Sequence, residues 1–456
     1  LGNGRMPVVP RGFGPPGPIL DKVLRESIAA TGQSVLASGD GMAARLVAAV
    51  VPPAATLAAR PGEHPVDVVV RAGLALSGEV LAVQGPPGTG KTYAAARLIR
   101  ALLDAGKRVG VTAQSHAVIR HVLDQVGRPA LQKANEEQAA VASGVVEVTT
   151  SNDVAREALA SGRVRLVGGT AWLWARQDLR ASVDVLVIDE AGQFSLANAV
   201  AVAPAAGSLV LLGDPQQLTQ PTQATHPYGA GVSALQHLIG DRDTVPADRG
   251  VFLGTTWRMH PAVTTFVSEL AYEGRLESAA DRERQTVSGE APLAGSGLRW
   301  VPVEHDGCDT SSLEEVAVVA TVVKDLLTRT WTDCDHRVRP ITETDILVVA
   351  PFNAQVAALL NGLPSGIAVG TVDKFQGKEA PVLIYSMASS SAALAPRGVG
   401  FLFDVHRLNV AISRARALSI IVGSPALLDA EVHTPEQLRA VNALCRYVDE
   451  ADVVAS

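Results

Sequence analysis

The chain has 456 residues, 47% of them apolar and 19% charged, with 46 Asp and Glu against 39 Lys and Arg for a formal net charge of −7. That balance excludes intrinsic disorder, which needs low hydrophobicity and high net charge. With a pI near 5.8 it also excludes a broad electropositive face for nucleic acid, so any polyanion must be met by a local patch.

Residues 1–75 form a lead segment of unclear function: a Gly/Pro-rich start (Pro10 to Pro18), a helix expected over Leu20 to Ala30, and an Ala-rich stretch broken by Pro52, Pro53 and Pro61. The chain starts on Leu1 and shows no charged-then-apolar signal pattern, which is compatible with a cut from something longer. From Val80 a repeated grammar begins, in which a short apolar strand is followed by a polar or Gly-bearing turn and then a helical pattern. Strands are expected at Val80 to Gln84, Arg108 to Thr112, Arg165 to Gly168, Val185 to Asp189 and Leu209 to Gly213. After a loop-rich interval around Gly240 to Gly250 the grammar resumes with Ile346 to Ala350, Ala368 to Thr371, Val382 to Met387 and Ser419 to Val422. Apolar strands alternating with helices predict an α/β fold of parallel sheets covered by helices. The boundaries predicted are 76–245 for a first domain, with a small insertion near 121–165, and 246–456 for a second.

Cys308, Cys334 and Cys445 lie far apart, so the expectation is free thiols in a reducing cytosol and neither a zinc site nor a disulfide framework. The longest uncharged run, Leu196 to Gly213, is split by Pro204 and Gly207 and reads as buried core. A cytoplasmic chain with no membrane partner is expected.

Gly85-Pro-Pro-Gly88-Thr89-Gly90-Lys91-Thr92 matches G-x-x-x-x-G-K-[ST] between an expected strand and an expected helix, Tyr93 to Ala105. Glycines in that setting let backbone N–H groups wrap a phosphate at a helix N-terminus, Lys91 reaches the β/γ-phosphates, and the Thr92 hydroxyl ligates Mg²⁺. Val185-Leu-Val-Ile-Asp189-Glu190 supplies the other two needs of a hydrolysing site: Asp189 as a metal acid at a strand end and Glu190 as a general base. No guanine-selective N-K-x-D exists, which points to ATP or a broad nucleoside triphosphate.

Asp189-Glu-Ala-Gly-Gln193, Gly213-Asp-Pro-Gln-Gln217-Leu218, Trp257-Arg-Met-His-Pro261, Gly370-Thr-Val-Asp-Lys-Phe-Gln-Gly-Lys-Glu379 and Arg407-Leu-Asn-Val-Ala-Ile-Ser-Arg-Ala-Arg416 occur in that order. Together with the P-loop they resemble superfamily 1B helicases of the nonsense-decay-helicase and nuclease-helicase type, over about residues 80 to 425. Gly168-Gly-Thr-Ala-Trp-Leu-Trp-Ala-Arg176 and Ser195-Leu-Ala-Asn198 look like the helicase half of bacterial proteins that carry a RecB-like nuclease upstream.

The resemblance implies two tandem RecA-like P-loop NTPase domains with ATP and Mg²⁺ between them. It implies that Gln217 senses the γ-phosphate, that Arg258 and Arg414 act as arginine fingers, that Trp257 packs on the base, that Glu379 lies near the ribose, and that Gln376 couples the two sites. Arg416 reads instead as a structural or surface residue. For the nucleic-acid track the matching positions are Thr112, Gln114, Ser115, His116, Thr170, Phe352, Asn353, Thr371 and Lys374. Each of the Ser, Thr and Asn positions has an ordinary alternative as a helix N-cap, and Trp172, Trp174 and Trp257 have one as packing residues. The family's adenine-reading Gln has no clear equivalent around Glu63 to Asp67, and the lead is too short for the stalk and β-barrel of fuller relatives. No nuclease residue set is evident in this chain.

The function implied is an ATP-dependent 5′ to 3′ translocase or helicase on single-stranded nucleic acid, DNA ahead of RNA, with an upstream nuclease domain or subunit as a candidate partner. Two alternatives stand beside it: an ATPase that clamps or remodels without unwinding, and a regulatory motor module of an upstream nuclease.

Overall fold

The computed structural model describes residues 24, 26–33, 41–136, 144–218, 231–375 and 377–454. Gln376, the Gly/Pro-rich start of the lead (Pro10 to Pro18) and the middle of the 121–165 stretch lie outside the described residues. Contacts divide the chain into two units, one of Leu1–Pro86, Gly90–Pro215 and Thr219–Leu253, the other of Pro87–Thr89, Gln216–Leu218 and Gly254–Ser456.

The first unit is built on eight strands: β1 (Val80–Gln84), β2 (Val109–Thr112), β3 (Ala130–Lys133), β4 (Val146–Thr149), β5 (Leu166–Gly168), β6 (Val183–Ile188), β7 (Ala206–Gly213) and β8 (Gly250–Phe252). Their order across the sheet is β4-β3-β5-β2-β6-β7-β1-β8, and every pair is parallel. Successive strand residues face opposite sides of a sheet. Accordingly Val80, Ala82, Leu186, Ile188, Leu209 and Leu211 enter one core, and Leu81, Val83, Val185, Val187, Val210 and Leu212 the other. Burial on both faces is why these strands read as unbroken apolar runs.

Two parts of this unit differ from the sequence reading. The 121–165 stretch is not a separate insertion where it is described: it contributes β3, β4 and the helix Asn152–Ala160, which extend the same sheet. The described part of the lead packs into both cores, Met42, Ala43 and Leu46 into one and Leu57, Val66, Val69 and Ala72 into the other. The change of unit comes after Leu253, later than 245, because β8 pairs with β1.

The main sheet of the second unit has six strands: β9 (Gly297–Pro302), β10 (Ile346–Ala350), β11 (Ala368–Thr371), β12 (Ala380–Ser386), β13 (Ala415–Gly423) and β14 (Asp452–Val453). They lie in the order β11-β10-β12-β13-β9-β14, again all parallel. Val301, Val348, Ala350, Val382, Ile384, Ile420 and Val422 form one face of its core with the helix Leu313–Leu326. A small antiparallel sheet of Thr286–Val287, Thr330–Thr332 and Val338–Pro340 stands beside it. Among the described residues no helix is long and apolar enough to cross a membrane.

Candidate nucleotide and nucleic-acid sites

In a parallel sheet all strands end on one edge, so β1, β7, β6, β2 and β5 release their turns side by side in that order. From β1 comes the P-loop, from β7 the turn leading to Gln217, from β6 the Asp189-Glu190 pair, from β2 the Thr112 to His116 turn, and from β5 Thr170. Strand order alone therefore separates the candidate triphosphate residues from the candidate strand-contacting hydroxyls.

At the P-loop, Gly88 and Gly90 have φ of 76° and 79°, a left-handed region open to glycine at little cost. Gly90 starts the helix Lys91–Asp104 with no side-chain cap and no acidic residue in the first turn. Nine helices of eight or more residues lie wholly within the described residues; in seven the N-cap side chain accepts a backbone N–H, and the other two begin at Gly90 and Phe352. An uncapped start leaves N–H donors and the positive end of the helix dipole for an anion. Lys91 Nζ donates to the loop carbonyls of Gly85 and, at 3.3 Å, Pro86. Thr89 is buried, while Lys91 and Thr92 are half-buried at the helix start.

Asp189 is 5% exposed, and Oδ1 accepts the Glu190 N–H at 2.9 Å. Burial pushes its carboxyl above the ordinary range, and the Glu190 N–H, Lys91 and His121 only partly offset that. Glu190 stands at φ 53°, a left-handed conformation that costs a non-glycine residue roughly 1 kcal/mol. The turn is held there by close backbone approach. Ala191 N donates to Leu212 O at 2.7 Å, a Cβ on Gly192 would lie 2.3 Å from Asp214 O, and one on Gly213 would lie 2.5 Å from Gly192 N. The Asp-Glu turn and the turn after β7 are thus packed main chain against main chain.

The Thr92 hydroxyl and the Asp189 carboxylate are hard oxygen donors, and a buried carboxylate held above its ordinary pKa gains from a cation. This set suits Mg²⁺, which takes one or two protein oxygens and completes its shell with phosphates and water. No group of three or more His, Cys, Asp or Glu that could hold a metal exists among the described residues, so a site built on protein ligands alone is not offered.

In the second unit β12 and β13 start together, Ala380 opposite Ala415, which sets Glu379 beside Arg414 and Arg416. Glu379 Oε2 accepts from Arg258 Nε, and Oε1 accepts from Arg416 Nε at 3.0 Å and Nη2 at 2.5 Å. Arg258 also donates to Ser413 O at 3.0 Å, and Arg414, 3% exposed, donates to Lys378 O at 3.3 Å. Burial pulls the Glu379 carboxyl up, but Arg258 and Arg416 together hold it below the ordinary range. Arg416, expected from the sequence to be a structural or surface residue, is a partly exposed ion-pair partner of Glu379. Trp257, 52% exposed, is not a core residue, whereas Trp174 is buried with its N–H shared between Val111 O and Gly169 O, and Trp172 is half-buried.

The nucleic-acid candidates divide. Ser115 Oγ accepts the Val118 N–H at 3.2 Å, an N-cap, and Gln114 donates to Gln193 O at 2.8 Å. Thr170 starts a short helix with no side-chain cap bond. Thr112 Oγ1 and His116 Nδ1 are buried with no hydrogen-bond partner among the described residues. Burial, then Lys133, holds His116 below its ordinary pKa. Lys133, a half-buried lysine at the end of β3, extends this edge and was missed because β3 itself was not foreseen. In the second unit Phe352 and Asn353 follow β10 and Thr371 ends β11, on the edge opposite Glu379 and Arg414; Lys374 is exposed and donates to Val369 O at 3.3 Å.

AAA domain family models match residues 67–237 and 231–426. A regulator of nonsense transcripts 1 homolog from Neurospora crassa is 25% identical over 413 residues, 77% of this chain and 36% of that protein. These matches indicate a superfamily 1 helicase of the nonsense-transcript-regulator type. Other relatives in the group include the DNA polymerase alpha-associated DNA helicase A of Schizosaccharomyces pombe, 24% identical over 76% of this chain and 61% of that one. The DNA replication ATP-dependent helicase/nuclease of Gallus gallus is 25% identical over 76% of this chain and 35% of that one. This chain spans less than two thirds of the length of each of them. Each of its two units is a mostly parallel sheet covered by helices.

Proposed function

We propose that the chain is an ATP-driven motor on single-stranded nucleic acid, DNA ahead of RNA, moving 5′ to 3′. The observation that carries the chemistry is the adjacency of the uncapped, glycine-turned start of helix Lys91–Asp104 to a buried Asp189 on which Lys91 acts electrostatically. Gly85, Gly88, Thr89 and Gly90 give the backbone of the phosphate cradle, and Lys91 neutralises the β/γ-phosphates. Thr92 and Asp189 would hold Mg²⁺, which when bound would supply charge neutralisation to the leaving group. Glu190, aimed by its strained backbone, orients water for in-line attack, and Gln217 reads the γ-phosphate. Arg258 and Arg414 deliver positive charge to the transferring group; Glu379 holds Arg258 in a fixed rotamer until then. Trp257 offers an exposed ring for the base. Thr112, Ser115, His116, Thr170, Phe352, Asn353, Thr371 and Lys374 are the contacts to the strand.

ATP turnover measured with and without single-stranded DNA or RNA tests this. Strand-stimulated turnover that falls about 100- to 1,000-fold in Lys91→Ala is expected; equal rates in the two proteins would sink it. A second reading, an ATPase that clamps without unwinding, is favoured by the described residues 41–79, which are helical, packed into the first unit and contain no strand of a duplex-gripping barrel. Displacement of a 5′-tailed duplex separates the two readings. An upstream nuclease remains a candidate partner on the strength of the sequence resemblance.

A further inference from the structure

Between β12 and the helix Val405–Ile412, residues 387–404 carry a feature that none of the helicase motifs assigns. Phe401, on the short helix Val399–Leu402, packs against Phe352 with ring centroids 5.6 Å apart. Two guanidiniums lie over the same Phe401 ring, those of Arg397 and Arg407, each 4.5 Å from its centroid. Arg407 is compensated, since its Nη1 donates to Asp373 Oδ2 at 3.1 Å. Arg397 is exposed, and among the described residues no carboxylate pairs with it. The fold therefore holds two like charges on one aromatic ring and neutralises only one of them.

Phe352 is also the N-cap of helix Asn353–Gly362, the second of the two long helices that start without a side-chain cap. That start is held firmly: Gln355 in the first turn is fully buried, with its side chain bonded to Ser312 N at 2.9 Å and Ser386 Oγ at 2.8 Å. A second orphan faces the same cluster. Tyr385 Oη on β12 is 1% exposed and has no hydrogen-bond partner among the described residues, while Arg407, Asp404 and Asp373 act on it electrostatically. An unmatched cation, unbonded N–H donors at a helix start and aromatic rings in one place are the elements from which proteins build contacts to a nucleotide strand.

We propose that Arg397 is a phosphate ligand for single-stranded nucleic acid in the second unit and that Phe401 is the positioning residue that holds its guanidinium beside the start of helix Asn353–Gly362. This rests on the motor reading above and adds to its track a residue from outside the motifs. A guanidinium held on a ring has lost rotamer freedom before binding, so less is lost when it meets a phosphate.

The test is fluorescence anisotropy with the whole chain and labelled oligothymidylate and oligouridylate of about 15 nucleotides, titrated across salt. Arg397→Gln, at an exposed site that leaves the fold intact, is expected to weaken binding about fivefold and to reduce the slope of log affinity on log salt by about 0.7, the share of one phosphate on a single strand. Arg397→Lys is expected to keep that slope. Phe401→Leu is expected to weaken binding while keeping the charge, and hence the slope. If the wild type binds and Arg397→Gln matches it in affinity and slope, this proposal falls and the motor reading stands. If the wild type binds neither oligonucleotide, both fall.

Discussion

Asp189 and Glu379 are both substantially buried carboxylates at strand ends, and the fold treats them oppositely. Asp189 sits after β6 with one backbone N–H and the charges of Lys91 and His121 acting on it, and burial wins, so its carboxyl is held above the ordinary range. Glu379 sits before β12 with two guanidiniums bonded to it, and they win over burial, so its carboxyl is held below. A carboxylate kept short of cations inside a protein is destabilised until a cation arrives. One that already has two is a structural fastener. The contrast supports the proposal that Asp189 serves a metal, while Glu379 is already bonded to its two arginines.

The largest effect expected is at Asp189. Asp189→Asn removes a buried charge without changing shape, so the thermal midpoint should stay level or rise, while on the proposed role ATP turnover falls about 100-fold or more as the anionic ligand for a metal is lost. A variant that loses stability along with turnover would mean that Asp189 is compensated after all, and the contrast would collapse.

Next in size is Glu379→Gln, which leaves Arg258 and Arg416 without their shared anion. Breaking a buried pair from one side costs about 3 kcal/mol or more, but Glu379 is 30% exposed and the cost is set at about 1–2 kcal/mol after allowing for solvent. The pH dependence has a definite sign. Because the folded-state value lies below the ordinary 4.5, the stabilisation is fully present above pH 4.5 and is lost as pH falls through the folded value. Denaturant midpoints of wild type and Glu379→Gln should therefore differ at neutral pH and converge in acid. A constant gap would remove the ion pairs from the explanation.

The asymmetry between these two sites also explains what could be read from the chain. The P-loop, the Asp-Glu pair and the motif order were legible because their geometry is local: glycines at φ 76° and 79° and an acid that ends an apolar strand declare themselves within a few residues. The parallel α/β class followed from apolar runs buried on both faces. Strands with mixed faces escaped. β4, Val-Glu-Val-Thr, is an edge strand with one buried residue, β8 has three residues, and β9 carries Arg299, which is buried by donating to Pro292, Leu298 and Ala294 carbonyls. The Glu379 fastener escaped because it depends on the register that sets Ala380 beside Ala415, a pairing that the sequence between them does not announce. The Phe401 ring and its two guanidiniums lie within residues 397–407, but the stacking on Phe352 ties them to a segment far away in sequence that no spacing reveals.

The finest discrimination lies within the fastener itself. Arg258 has only 11% of its side chain exposed and also bonds Ser413 O, whereas Arg416 is 36% exposed. An ion pair open to water to that degree is worth about 0.5–1 kcal/mol and is screened by salt. Arg416→Gln should thus cost no more than that at low ionic strength, with the deficit shrinking as salt is added. Because Arg258 keeps its bond to Glu379 in this variant, ATP turnover should stay within about twofold of wild type. Arg258→Gln, at the better-buried end of the same carboxylate, should lose turnover by far more than it loses stability. Equal losses of turnover in the two variants would show that Glu379 does not distinguish its two arginines, and that Arg416 acts on the nucleotide as directly as Arg258.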